Sequence, residues 1–194
     1  MRELTYYVAV TLDGYIAGPG GEFGSFVFDG DHMDAINDRF ADTIPTHLAQ
    51  ALGIEQPRTT FDTVLMGWNT YAVGLPESPS PYRHLRQFLF SRTRTAADLT
   101  GDRVNLTVTA EDPVAVVRDL KREQGADIWL CGGATLASAL VDDIDRLVLK
   151  RHPVRFGDGI PLFAPSGYAP QRFDEVATTA YRSGVVVSEY VRAG

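Results

Sequence analysis

Three short stretches place small or polar residues where a strand candidate gives way to a helix. They are Met66-Gly67-Trp68-Asn69-Thr70, Phe90-Ser91-Arg92-Thr93 and Cys131-Gly132-Gly133-Ala134-Thr135. At such junctions the first main-chain N–H groups have no helical partner, so they can face an anion. Glycine lets a flat ring come close to the backbone, because no Cβ stands in the way. Arg92 adds a planar cationic fork suited to a phosphate. Any one junction alone reads more readily as an ordinary turn. Three in one chain, with no competing site pattern, point to a ligand site.

The other chemistry-bearing residues are less organised. Gly18-Pro19-Gly20-Gly21-Glu22-Phe23-Gly24 is glycine-rich, but Phe23 fills the third glycine position of a dinucleotide fingerprint and no helix opens there. There is no phosphate-loop Gly-Lys-Ser/Thr either. His32, His47, His84 and His152 lack the paired spacing of a metal site, so no metal is expected. Cys131 has no base beside it and reads as a small buried residue rather than a nucleophile. Asp29, Asp31 and Asp34 cluster at a helix start. They serve the helix terminus, or one supplies a proton if that helix lines the pocket. Mutual repulsion in an apolar pocket would hold one of the three protonated towards neutral pH.

The elements that must position these residues follow from pattern and punctuation. Strand candidates cover residues 4–10, 62–66, 86–91, 104–109, 127–131 and 144–150, each rich in β-branched or aromatic residues. A glycine-rich loop spans residues 13–24. Residues 31–52 read as helical with a break at Pro45, and a short helix is expected over 68–73. Asp112-Pro113 starts another helix as N-cap and first helical residue. Val114, Val117 and Leu120 form its apolar face, and Gly125 ends it. A further helix spans 134–141, and residues 172–181 and 184–192 read as a hairpin turning at Arg182-Ser183-Gly184. Strands alternating with helices and ending in a hairpin imply one α/β domain over residues 1–194. Its sheet is open, mixed and mostly parallel, with helices on both faces and an antiparallel C-terminal hairpin.

Composition narrows the function classes. The formal net charge is -7, against the basic face of a nucleic-acid binder. A dinucleotide pocket remains open, since it needs only local donors and one or two cations. The single cysteine excludes an intramolecular disulfide and suits a reducing compartment. No leader pattern precedes residue 4, and no run reaches the ~18 apolar residues of a membrane span. A cytoplasmic location with no membrane association is expected.

With these residues laid out, the chain resembles the dihydrofolate-reductase-like superfamily. It is most similar to bacterial proteins related to the reductase (C-terminal) domain of the riboflavin-biosynthesis enzyme RibD. The resemblance rests on Val8-Ala9-Val10-Thr11-Leu12-Asp13-Gly14-Tyr15-Ile16-Ala17, Leu65-Met66-Gly67-Trp68-Asn69-Thr70-Tyr71 and Gly132-Gly133-Ala134-Thr135-Leu136-Ala137. Asp145-Arg146-Leu147, then Pro153, Gly157, Gly159 and Leu162-Phe163, complete it.

The resemblance implies an NADP(H)-dependent reductase acting on a small polar heterocycle, imine or carbonyl, in a chain that forms a homodimer. It implies that Ala9, Ile16 and Ala17 line the nicotinamide, and that Gly67, Trp68, Asn69 and Thr70 meet the pyrophosphate. Ser91 and Arg92 would hold the adenosine 2′-phosphate. Cys131, Gly132, Gly133, Ala134, Thr135 and Leu136 would pack under the nicotinamide and pyrophosphate, with a cis Gly132–Gly133 bond. Phe26 would form part of a substrate-stacking wall, and one of Asp29, Asp31 and Asp34, or an ordered water, would supply the proton.

Three positions depart from the family pattern. Tyr7 stands where riboflavin-pathway reductases often carry Lys, Cys131 where they tend to be acidic, and Trp68 where an Arg is common. The first two weigh against a ribosylaminopyrimidine phosphate substrate. A second reading therefore stays open: a nucleotide-binding or structural dimer module of the same fold, without turnover.

Overall fold

The computed structural model describes residues 1–194. Its central strand, β1 (Leu4–Val10), has the alternation of a strand covered on both faces. Leu4 and Tyr6 are buried on one side and Tyr7 on the other. After a two-stranded flap strand β2 (Tyr15–Ala17) comes α1 (Asp31–Arg39), a 3₁₀ turn (Ala41–Thr43) and α2 (Thr46–Leu52). Helix α1 ends at Arg39, ahead of the break expected at Pro45, which stands directly before α2, and Gly53 closes α2 at a left-handed φ of 67°.

The chain then builds outward through β3 (Phe61–Gly67), α3 (Trp68–Ala72), β4 (Arg86–Phe90) and β5 (Leu106–Thr109). It returns through α4 (Pro113–Arg122), β6 (Asp127–Gly132), α5 (Ala134–Ala139) and β7 (Arg146–Arg151). Strand β8 (Ile160–Pro161) pairs with β2, and the hairpin β9 (Phe173–Ala180) and β10 (Val186–Arg192) ends the fold.

The eight-stranded sheet has the order β5-β4-β3-β6-β1-β7-β10-β9. The strands from β5 to β7 are parallel, while β10 runs antiparallel to both β7 and β9. This is the mixed, mostly parallel α/β sheet expected from the sequence. Successive strands leave β1 in one direction, and β6 returns to lie between β3 and β1. The crevice beyond the carboxyl ends of β3, β6 and β1 is therefore a topological switch point, where open α/β sheets bind ligands.

One core packs α4 and α5 against Leu4, Leu65, Ile128 and Leu130. The other packs Ile36 of α1 and Phe40 just after it, on the opposite face, against Tyr7, Trp129 and Val148. Helix α4 starts as expected: the Val114 N–H donates to the Asp112 side chain (3.3 Å), with Pro113 in the first turn. Strand β5 starts two residues later than expected. Asn105 holds a positive φ of 55°, and its side-chain amide donates to the Arg83 carbonyl (2.8 Å). No helix is long and apolar enough to cross a membrane.

Candidate functional site

The switch point opens into a cavity of about 810 Å³. Its walls join all three expected junctions, although the one after β4 leads into a 3₁₀ turn (Ala96–Asp98) and β5 rather than into an α-helix. Gly67, Trp68, Asn69 and Thr70 come from β3 and α3, Ser91 and Arg92 follow β4, and Cys131 to Leu136 run from β6 into α5. Ile16 and Ala17 of β2 cover it, together with Gly159, Ile160 and Pro161 around β8. The volume sits in the upper part of the ~300–1,000 Å³ range of small-molecule sites, enough for an extended ligand.

Local structure explains why these walls are bare backbone. Neither Gly67 before α3 nor Gly133 before α5 offers a side-chain cap, so first-turn N–H groups stay free of side-chain partners. A Cβ built on Gly132 or Gly133 would meet only Thr70 Oγ1, at 3.6 and 3.4 Å. The remaining space beside both is open to the cavity. Gly132 also holds a φ of +137°, which side-chain-bearing residues rarely adopt, and the Gly132–Gly133 bond is cis.

The far end of the cavity carries two arginines in different states. Arg94 lies 5.1 Å over the Trp68 ring and 3.8 Å from Asp98. Arg92 is exposed and has no carboxylate partner. Ser91 Oγ accepts from the Arg94 N–H (2.9 Å), which fixes the turn that presents Arg92.

The flap is pinned from below. Asp13 accepts from the Thr11 hydroxyl (2.6 Å) and from the N–H groups of Gly157 (2.8 Å) and Phe156 (3.2 Å). The Thr11 hydrogen bond, supported by those two N–H groups, draws its carboxyl down to about 2. Gly159 sits so close to β2 that a Cβ there would lie 2.2 Å from the Ala17 carbonyl oxygen.

Several expected residues lie elsewhere. Ala9 points to the opposite face of β1, and Val8 lines the cavity in its place. Phe26 is buried against His152 (ring centroids 4.7 Å apart) and Phe156 (5.3 Å), off the cavity wall. The three aspartates are off the wall too. Asp31 accepts from the N–H groups of Arg182 (2.9 Å) and Ser183 (3.1 Å), which lowers its carboxyl pKa and ties α1 to the terminal hairpin. Asp29 and Asp34 are exposed. Wall residues not anticipated include Phe23, Glu111 and Ile160. Of these, Ile160 was within reach, since it adjoins the Gly157/Gly159 pattern.

Burial governs the polar groups on the α1 side of the sheet. It pushes the Cys131 thiol up to about 11 and the Tyr82 hydroxyl well above its ordinary value. It also draws His152 down to about 4, helped by the neighbouring Lys150 and His32. No group of three His, Cys, Asp or Glu side chains converges as a metal site would require.

The fold is dihydrofolate-reductase-like, and residues 2–187 match the RibD C-terminal domain family, to which the chain belongs. It is 30% identical over 206 residues to the Bacillus subtilis protein YyaP, covering 97% of this chain and 94% of that one. It is likewise 30% identical to YwjB of the same organism over 166 residues, covering 84% and 83%.

Among solved structures it resembles a putative riboflavin biosynthesis protein from Shewanella sp. PV-4. The TM-score is 0.76 at 21% identity, with both chains covered in full. It also resembles a Thermotoga maritima diaminohydroxyphosphoribosylaminopyrimidine deaminase/5-amino-6-(5-phosphoribosylamino)uracil reductase, with a TM-score of 0.64 at 14% identity. That match covers 99% of this chain and 57% of the larger one.

Proposed function

We propose that the protein is an NADPH-dependent reductase that transfers hydride to a small polar heterocycle, imine or carbonyl. The observation that carries this reading is the single cavity formed by the three junctions, glycine-floored at one end and holding the unpaired Arg92 at the other. The fit is chemical as well as steric. A flat ring can rest on the Gly132–Gly133 backbone, a pyrophosphate can take free N–H groups of Gly67 to Thr70 and Ala134 to Leu136, and a 2′-phosphate can pair with Arg92.

When bound, NADPH supplies the hydride. The chain's own part is orientation and exclusion of water. Ile16, Ala17 and Ile160 of the flap cover the ring, and the glycine floor sets how near it lies to β6. With Asp29, Asp31 and Asp34 off the wall, ordered water is the proton source in this reading. The family relationship and the reductase named among the structural relatives support the reaction class. Tyr7 and Cys131, at positions where riboflavin-pathway reductases carry Lys and acid, favour an acceptor other than a ribosylaminopyrimidine phosphate.

The test is oxidation of NADPH, followed at 340 nm, with a panel of C=N and C=O acceptors. Acceptor-dependent oxidation supports the reductase. Tight NADPH binding with no oxidation across the panel supports the inert-module reading.

A further inference from the structure

Of all the side chains on the cavity wall, only Arg92 and Glu111 carry a charge at neutral pH. Both belong to the same end of the cavity. Arg92 stands two residues past the end of β4, and Glu111 two residues past the end of β5. These strands are parallel neighbours whose last paired residues are Phe90 and Thr109. The Ser91 N–H then donates to the Thr109 carbonyl (3.0 Å), so the ladder runs up to the two turns. A cation and an anion therefore leave the sheet from adjacent strand ends and line one cavity.

Neither charge is consumed by the fold. Both residues are exposed and neither forms a salt bridge. The Glu111 N–H donates to the Thr109 hydroxyl (3.1 Å), so its main chain holds the turn while its carboxylate stays free. The charged neighbours are already engaged. Arg94 lies over Trp68 and near Asp98, Asp98 accepts from the Thr95 N–H (2.7 Å), and Asp112 caps α4.

A wall built only to hold a phosphate gains nothing from a carboxylate here. With a screening length of about 8 Å, a carboxylate beside a phosphate subtracts from its binding. An ionised carboxylate only accepts hydrogen bonds, so its natural ligand is a donor, and a ribose 2′-hydroxyl is one. In open α/β sheets a carboxylate near the strand ends reads the free ribose hydroxyl, and an arginine reads the 2′-phosphate. This cavity carries both.

We infer that Glu111 is a specificity-determining residue that accepts from the ribose 2′-hydroxyl of NADH and opposes the 2′-phosphate of NADPH. Arg92 and Glu111 read the same ribose position in opposite senses. The cleft takes both dinucleotides, with a preference for NADPH smaller than Arg92 alone would set. This assignment rests on the reductase reading for the identity of the ligand.

The test is titration of the native protein and its Glu111 variants with NADPH and NADH, followed by energy transfer from tryptophan to the nicotinamide. Glu111→Gln keeps an acceptor oxygen but loses the charge. It should weaken NADH about threefold, tighten NADPH about twofold, and so raise the NADPH-to-NADH affinity ratio about sixfold. Glu111→Lys should raise the ratio further, and Glu111→Asp should keep it within about twofold of native. A merely structural role would move both affinities together and leave the ratio alone. An unchanged or lowered ratio in Glu111→Gln overturns the assignment, and so does an equal loss of both affinities, which would place the carboxylate on a part the two dinucleotides share. Those results leave the cofactor reading standing. Binding of neither dinucleotide to the native protein overturns that reading and the assignment with it.

Discussion

Replacing Arg92 with alanine removes the one guanidinium at the outer end of the cavity that has no partner. Nothing has to be broken for Arg92 to take a phosphate, so the interaction is gained without losing an existing pair. Hydrogen bonds to charged groups contribute ~1.5–3 kcal/mol, and exposure with a screening length of about 8 Å trims this to ~1–2 kcal/mol. That corresponds to a preference for NADPH over NADH of roughly 5- to 30-fold. Arg94 cannot substitute, because it is already stacked on Trp68 and near Asp98. Trp68 lines the cavity, so energy transfer from tryptophan to the nicotinamide reports each titration directly. The expected result is a native protein that prefers NADPH, a preference that shrinks in high salt, and an Arg92→Ala variant with nearly equal affinities. Equal affinities in the native protein, or an unchanged ratio in the variant, would refute the reasoning.

Four further outcomes follow. Gly133→Val projects methyl groups into the space beside Thr70, so it should abolish NADPH binding in the same titration while circular dichroism still reports a folded chain. Gly159→Ala places a Cβ 2.2 Å from the Ala17 carbonyl oxygen, so the flap must shift; a stability loss of ~1–3 kcal/mol by urea unfolding is expected, with weaker NADPH binding. Asp31→Asn should lower the thermal midpoint through the Arg182–Ser183 turn and leave NADPH affinity unchanged, which the two measurements together check.

The fourth outcome concerns acid. His152 titrates near 4 when folded and near the ordinary ~6.5 when unfolded, so the unfolded chain binds the extra proton between those values. Stability should fall as pH drops from about 6.5 to 4, less so in His152→Asn. Asp13, lowered to about 2, should add its own loss between about 4 and 2. Urea unfolding across that pH range reads both windows.

Much of this was legible in residue types alone, and the failures share a physical origin. The junctions at Gly67 and Gly132 are legible because a buried parallel strand gives way there to small or polar residues before its helix, while Ser91 leads only into a 3₁₀ turn. Strands β2 and β8, of three and two residues, carry no hydrophobic period. Only the fit of Gly159 against Ala17 reveals why they pair.

The resemblance puts Ala9 at the nicotinamide, whereas the alternation of β1 gives Val8 to the cavity wall and Ala9 to the opposite face. The aspartates near α1 were adjacent to the right helix, but sequence distance did not show that Arg182 and Ser183 would claim Asp31.

The most direct test of the central claim is a crystal structure of the protein with NADPH. The account predicts the nicotinamide on the Gly132–Gly133 backbone beneath Ile16 and Ala17, the pyrophosphate between the first turns of α3 and α5, and the 2′-phosphate on Arg92. A cofactor bound outside this cavity, or one whose 2′-phosphate lies away from Ser91 and Arg92, would contradict it.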